Sequence, residues 1–230
     1  MDKSKSVLWS CTRVAWLFAA FSLTSIISVF AQTTTPPSLV DPTLDVRPLV
    51  TGLVQPTTMA FIGRNDILVL EKVSGKVQRV TDGKIASTVL DLAVNSASER
   101  GLLGIALHPD FPEAPLVYLY WTESSTGADS TVLGEVPLLG NRVDRYVWTG
   151  SALAFDRNII KLRSYQADEG QPLRGNHNGG VLAFEESPNA KKAWGRRGQH
   201  HWWDHNDDCD DDMEKLYIFI GDNGRRGWLQ

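Results

Sequence analysis

One histidine of this chain stands in a short polar segment that could carry proton-transfer chemistry. The stretch GNHNGGVLAF, residues 175–184, places His177 between Asn176 and Asn178, with glycines on both sides and an apolar run after it. A neutral imidazole, with an ordinary pKa of about 6.5, accepts a proton near neutral pH, so His177 is a candidate general base. The amides of Asn176 and Asn178 can hold a substrate or a ring nitrogen by hydrogen bonds. The alternative is a histidine that packs between strands with its nitrogens bonded to the backbone.

A second candidate, Asp222, lies in the stretch IGDNGRR, residues 220–226, directly after an apolar run. Its carboxylate can accept the other ring N–H of the histidine, fix the tautomer and stabilise the imidazolium. Asn223 and Gly224 come next, so Asp222 can also cap a turn through its side-chain oxygen. The two interpretations are compatible, and the sequence leaves both open.

The composition is that of a globular chain and argues against a general nucleic-acid binder. Of the 230 residues, 42% are hydrophobic and 22% are charged, and the formal net charge is −4. Phosphate contacts require clustered lysine and arginine rather than a slight acidic excess. Small molecules or proteins are therefore the expected partners.

The elements that must position these side chains are short apolar or alternating segments separated by turn residues. They form three groups, which lie within residues 58–94, 101–162 and 179–222. Units of four short strands at this spacing are typical of propeller blades, although periodicity alone leaves a β-sandwich open. We therefore expect an all-β fold, an incomplete β-propeller arc of about two and a half blades, with His177 on its inner rim.

The N-terminal part and one internal segment of the chain carry their own signals. Basic residues precede the charge-free run at 14–31, which predicts a signal peptide over residues 1–31 and an exported protein, with an uncleaved membrane anchor as the alternative. A Thr/Pro-rich spacer, residues 32–47, leads to the propeller at 48–230. Residues 186–214 form an insertion rich in histidine and aspartate, which we expect to be a solvated extension rather than a metal site.

Four segments carry a resemblance to a known family. ERGLLGIALHPDF (99–111), NRVDRYVW (141–148), NHNGGVLAF (176–184) and GDNGRRGWLQ (221–230) resemble, in the same order, the soluble quinoprotein glucose and sorbosone dehydrogenases. The resemblance extends from about Gly52 onward. It implies a six-bladed propeller that holds pyrroloquinoline quinone (PQQ) and calcium over its central channel and oxidises sugars or related alcohols. Similar propellers in proteins that resemble hedgehog-interacting protein bind a protein or carbohydrate partner without this chemistry, and that alternative stays open.

The resemblance also implies roles for single residues. His177 matches the catalytic histidine of the family and Asp222 its aspartate. Glu99 stands where the sugar-oxidising members have a glutamine near substrate and quinone, and the alternative for Glu99 is a local ion pair with Arg100. The arginines and lysine that grip the quinone, and the carbonyls that hold calcium, belong to later blades, so no residue here is assigned to a metal.

The resemblance also predicts how the chain behaves alone. We expect a fragment that is inactive without the later blades and that associates with them or with itself. Its substrate is expected to be a small sugar or alcohol.

Overall fold

The computed structural model describes residues 39–166, 170, 172–185 and 215–224. The predicted signal peptide and the insertion at 186–214 lie outside the described residues. The chain divides into two compact units, Met1–Val46 and Arg47–Gln230. In the described part of the first unit, the Asp41 side chain accepts hydrogen bonds from the main-chain N–H and the hydroxyl of Thr43. The strands belong to the second unit.

The first sheet is a four-stranded antiparallel meander whose strands are adjacent in the order in which they occur along the chain. Tight turns join them: Asp82 and Gly83 both have positive φ, of 49° and 76°, as a two-residue hairpin turn requires. The turn residues expected between the apolar segments therefore lie where the strands end. The four strands are β1 (Pro56–Gly63), β2 (Asp66–Glu71), β3 (Lys76–Thr81) and β4 (Lys84–Asp91).

The second sheet repeats this plan, again with four antiparallel strands in sequential order. A two-stranded antiparallel sheet follows, in which Leu216 pairs with Phe184 and Phe219 with Val181. The strands of the second sheet are β5 (Leu102–Leu107), β6 (Leu116–Thr122), β7 (Asn141–Trp148) and β8 (Leu153–Leu162). Those of the third are β9 (Val181–Phe184) and β10 (Leu216–Phe219).

The three sheets are arranged as successive propeller blades. Strand β1 lies against β5, and β5 lies against β9, so the first strand of each sheet forms the inner rim. One apolar cluster joins the first sheet to the second, through side chains such as Leu70, Val77, Leu102 and Trp121. A second cluster, with Tyr120 and Leu182, joins the second sheet to the third. The predicted all-β arc is confirmed, and His177 lies just before the inner strand β9.

The burial of strand β6 agrees with packing on both faces of the second sheet. Every residue of β6 from Val117 to Thr122 is buried, as expected for a strand with a blade on either face. Among the described residues, no helix is long and apolar enough to cross a membrane.

Candidate active site

The two ends of the third sheet bring His177 and Asp222 together. His177 precedes β9 and Asp222 follows β10, and because these strands are antiparallel, the start of one lies beside the end of the other. The ring Nδ1 of His177 lies 2.6 Å from Oδ1 of Asp222. Strand pairing thus creates a contact between residues that are 45 positions apart.

The main chains on either side of this pair are also in contact. The N–H of Asn223 donates to the carbonyl of His177 at 3.2 Å, and the N–H of Gly180 donates to that of Phe219 at 2.9 Å. A Cβ at Gly221 would lie 2.0 Å from the carbonyl oxygen of His177, so only glycine allows this approach. The Asp222 loop is therefore held directly against the histidine.

Hydrogen bonding determines the electrostatics of the pair. The pKa of Asp222 is lowered, first by its hydrogen bond with His177 and then by the N–H of Gly224, which donates to Asp222 Oδ1 at 2.8 Å. Asp222 therefore contacts the histidine and caps the turn at once, so both roles expected from the sequence coexist. Because the ionised carboxylate accepts Nδ1–H, the lone pair of a neutral ring lies on Nε2. The two side chains are about half exposed, at 53% for His177 and 45% for Asp222.

The backbone of His177 is unusual for a side chain of this size. Its φ of 55° lies in the left-handed region, which residues other than glycine seldom occupy. Its main-chain N–H donates to Oε2 of Glu99 at 2.5 Å. Glu99, predicted to contact a ligand, is thus placed at the site, with one carboxylate oxygen bonded to the candidate base.

The alternative for Glu99, an ion pair with Arg100, is wrong. The Arg100 side chain is fully buried and donates instead to main-chain carbonyls of Leu133 at 2.7 Å, Ser164 at 2.5 Å and Arg174 at 2.9 Å. Burial lowers the pKa of Arg100 to about 10, which still leaves the guanidinium charged at neutral pH. Arg100 thus holds several loops together next to Glu99. The sequence around Arg100 gives no local signal that separates this buried role from that of a surface charge.

The two asparagines beside His177 have different surroundings. Asn178 is 1% exposed, its amide donates to the carbonyl of Gly175 at 2.9 Å, and its Oδ1 accepts from Asn141 at 3.1 Å. Both polar groups of the Asn178 side chain are therefore used inside the protein, and ligand contact by this residue stays a prediction. Asn176 is half-buried, and its Oδ1 has no hydrogen-bond partner within the described part of the chain. This oxygen is itself buried, and a Cβ at Gly224 would lie 2.8 Å from it.

A buried polar network that the sequence did not reveal supports this segment from below. The hydroxyl of Tyr120 donates to the carbonyl of Asn178 at 2.7 Å, and burial raises the pKa of Tyr120, so it stays a donor. The amides of Asn141 and Asn223 both donate to the carbonyl of Arg163, at 2.9 and 2.8 Å. Tyr120 lies within a mostly apolar strand. This was the signal in the sequence for a buried polar network, because buried polar groups require partners.

The glycines that follow His177 serve contacts between strands. A Cβ at Gly179 would lie 2.5 Å from the carbonyl oxygen of Phe219. A Cβ at Gly180 would lie 2.7 Å from Cβ of Leu103 in the neighbouring sheet. The close approach in the structure is therefore to the protein itself.

The described residues do not form a metal centre. Among them, no group of three or more His, Cys, Asp or Glu side chains is arranged to hold an ion. The His/Asp-rich insertion at 186–214 lies outside this part of the chain.

The blades and the His–Asp pair at the inner rim define a β-propeller protein with a candidate acid–base site. The profile of the Glucose / Sorbosone dehydrogenase family matches residues 53–217. The chain belongs to this family.

The chain is also similar to individual proteins. The chain is similar to quinoprotein glucose dehydrogenase B of Acinetobacter calcoaceticus, with 28% identity over 185 residues, 79% of this chain and 31% of that protein. An uncharacterized protein of Synechocystis is 31% identical over 122 residues, 49% of this chain and 27% of that protein. The chain thus spans less than a third of the length of these curated relatives. Among solved structures, the PQQ-bound aldose sugar dehydrogenase of Streptomyces coelicolor is 27% identical, covering 63% of this chain and 38% of that one, with a TM-score of 0.44.

Proposed function

We propose that this chain supplies the proton-transfer part of a quinoprotein oxidoreductase that oxidises a sugar or a related alcohol. The observation that carries the proposal is the 2.6 Å contact between Nδ1 of His177 and the carboxylate of Asp222. A half-exposed imidazole whose tautomer is held by a carboxylate has the arrangement of a general base. Membership of the family supports the choice of reaction.

The chemistry divides between this chain and a cofactor. Oxidising an alcohol carbon to a carbonyl removes a proton from oxygen and a hydride from carbon. His177 accepts the hydroxyl proton on Nε2, and Asp222 stabilises the imidazolium that results. When bound, PQQ supplies the hydride acceptor.

The described residues fit the base side of such a site but not the grip on the cofactor. PQQ carries three carboxylates, which arginine and lysine side chains hold best. The Arg100 guanidinium donates to main-chain carbonyls and is therefore not directed at a ligand. Asn176 Oδ1, which has no partner among the described residues, is buried beside Gly224 and is not directed at a ligand either. By family resemblance, the cations and the calcium site belong to later blades, and we propose that activity requires those blades.

Turnover of a completed propeller tests the role of His177. We expect a full-length propeller, made by joining this chain to the later blades of a relative, to reduce a dye when it is supplied with PQQ, calcium and a sugar. Replacing His177 with alanine should lower kcat by about 10²- to 10⁴-fold, because acid–base catalysis is lost. His108→Ala, at the histidine that directly follows β5, is the matched control. Unchanged kcat in His177→Ala would remove the base assignment, and a folded wild type without turnover would favour a non-catalytic partner-binding propeller.

We also propose that the protein is exported. The support is the sequence alone, with Lys3, Lys5 and Arg13 ahead of the apolar run at 14–31. N-terminal sequencing of the protein from its native host should find Gln32 as the first residue. Retention of residues 1–31 in a membrane fraction would indicate an anchor instead.

A further inference from the structure

The left-handed backbone of His177 requires something to hold it. A non-glycine residue with φ of 55° persists only where surrounding contacts over-determine it, and such residues cluster at functional sites. The carbonyl side of His177 is held by the N–H of Asn223. Its N–H side is held by the carboxylate of Glu99 at 2.5 Å.

Glu99 makes two hydrogen bonds with the segment that contains His177. Its own N–H donates to the carbonyl of Gly175 at 2.7 Å, while its side chain accepts from the N–H of His177. The two bonds join the loop before β5 to the loop before β9, across the inner rim. A carboxylate that accepts a main-chain N–H makes a charge-assisted bond, which is stronger than a neutral one.

The loop that carries Glu99 is itself fixed. The Lys72 ammonium donates to the carbonyls of Ser98 at 2.7 Å and Ser96 at 3.2 Å. A Cβ at Gly101 would lie 2.4 Å from the carbonyl of Lys72, so the backbones are in direct contact. Arg100, buried behind the loop, bonds three carbonyls. Glu99 therefore projects from a rigid base.

We propose that Glu99 is a positioning residue whose carboxylate locks the main chain of His177 in its left-handed conformation and so sets the direction of the imidazole towards Asp222. The importance of this lock rests on the proposed function of His177 as the base. Glu99 acts through the histidine backbone, whereas the sequence suggested that it contacts the ligand.

Three substitutions in the full chain separate the reach of the side chain from its charge. Glu99→Gln keeps an oxygen at the same distance without the charge, Glu99→Asp keeps the charge but is one methylene too short, and Glu99→Ala removes both. Amide hydrogen exchange of His177, followed by NMR, should accelerate roughly tenfold in Glu99→Asp and Glu99→Ala, because one charge-assisted hydrogen bond is lost. Glu99→Gln should retain most of the protection. Glu113→Ala, at an exposed glutamate between β5 and β6, is the control and should leave it unchanged.

A second readout reports on the contact between the imidazole and Asp222. The ¹³C signal of the Asp222 carboxyl follows the titration of Asp222. The pKa of Asp222 should move towards the ordinary range of aspartate in Glu99→Asp and Glu99→Ala but not in Glu99→Gln. The amides of β7 report whether the fold is intact. If Glu99 had a purely structural role, the Asp222 titration would not change in a variant whose β7 amides keep their wild-type protection.

The possible outcomes decide the proposal. Equal His177 protection in wild type, Glu99→Asp and Glu99→Gln would overturn it, as would protection in Glu99→Asp but not in Glu99→Gln. If Glu99→Ala does not fold, the aspartate and glutamine variants still decide. Exchange and titration need no turnover, so the expected exchange pattern in this chain, together with a completed propeller that folds but shows no turnover, would refute the proposed function and leave the lock intact.

Discussion

At the scale of residues, one hydrogen bond links geometry to charge. Asp222 is about half exposed, and its contact with His177 is still the largest cause of its lowered pKa. The ionised form of the carboxylate is the form that accepts Nδ1–H. The contact therefore belongs to the pH range above that lowered pKa, which includes neutral pH.

The titration of Asp222 tests this link. Because the folded-state pKa lies below the ordinary value of 3.8, the contact should be complete above pH about 3.8 and be lost as the pH falls through the lowered pKa. In His177→Ala the Asp222 carboxyl, followed by ¹³C NMR, should titrate closer to its ordinary value. Asp66, whose pKa is lowered by Arg79, is the internal control and should not change. An Asp222 titration that is the same in both proteins would show that the contact is not formed in solution.

The two asparagines beside His177 give a second test at this scale. Asn178→Ala leaves the Gly175 carbonyl and the Asn141 amide without their partner, so it should lower the free energy of unfolding by roughly 1–3 kcal/mol. Asn176→Ala removes an oxygen that has no partner among the described residues, and should cost about 0.5 kcal/mol or less. Urea denaturation measures both. Equal losses would contradict the division between an asparagine with hydrogen-bonded polar groups and one with an unpartnered oxygen.

At the scale of elements, glycines set how closely the sheets approach. A Cβ at Gly104 in β5 would lie 1.8 Å from the carbonyl oxygen of Gly180, which precedes β9. The second and third sheets are therefore in main-chain contact beside the candidate site. The packing of these two sheets and the placement of His177 depend on the same few residues.

Gly104→Ala tests this contact. The clash involves backbone atoms that cannot rotate away, so we expect a loss of at least roughly 1–3 kcal/mol in the free energy of unfolding, the usual cost of overpacking. Gly63→Ala in β1 is the matched control, because its Cβ would meet Asp66 at an ordinary 3.5 Å. Similar stability of the two variants by thermal denaturation would mean that the sheets are further apart than the structure has them.

At the scale of the whole described arc, two sheet faces expose apolar side chains. On the first sheet Phe61 is 64% exposed, and on the third Val181 and Phe219 are 62% and 57% exposed. These residues alternate along their strands with the ones that pack towards the second sheet. Exposed apolar faces of this kind favour association.

The purified chain should therefore self-associate. We expect Phe61→Ser combined with Phe219→Ser to reduce the mass measured by light scattering, because each removes a large apolar side chain from an open face. Val132→Ser combined with Leu139→Ser, at exposed positions outside the strands, is the control and should have little effect. A wild-type chain that stays monomeric at the same concentration would contradict the expectation.

The sequence by itself determined the strands and the identity of the His177–Asp222 pair. Alternation and turn residues such as Asp82 and Gly83 act over a few positions, so the meanders could be predicted without tertiary information. Motif resemblance then pointed to His177 and Asp222, although it could not supply the distance between them.

Tertiary structure decided which neighbouring residues face the site. The partners of Glu99 and Arg100 are up to 78 positions away, because the packing of separate sheets brings them together. Asn176 and Asn178 flank the same histidine and differ in burial, because the Asn178 side chain bonds to Asn141 of the second sheet. Hydrogen-bond partners and burial depend on how blades stack, and local residue order does not contain that information.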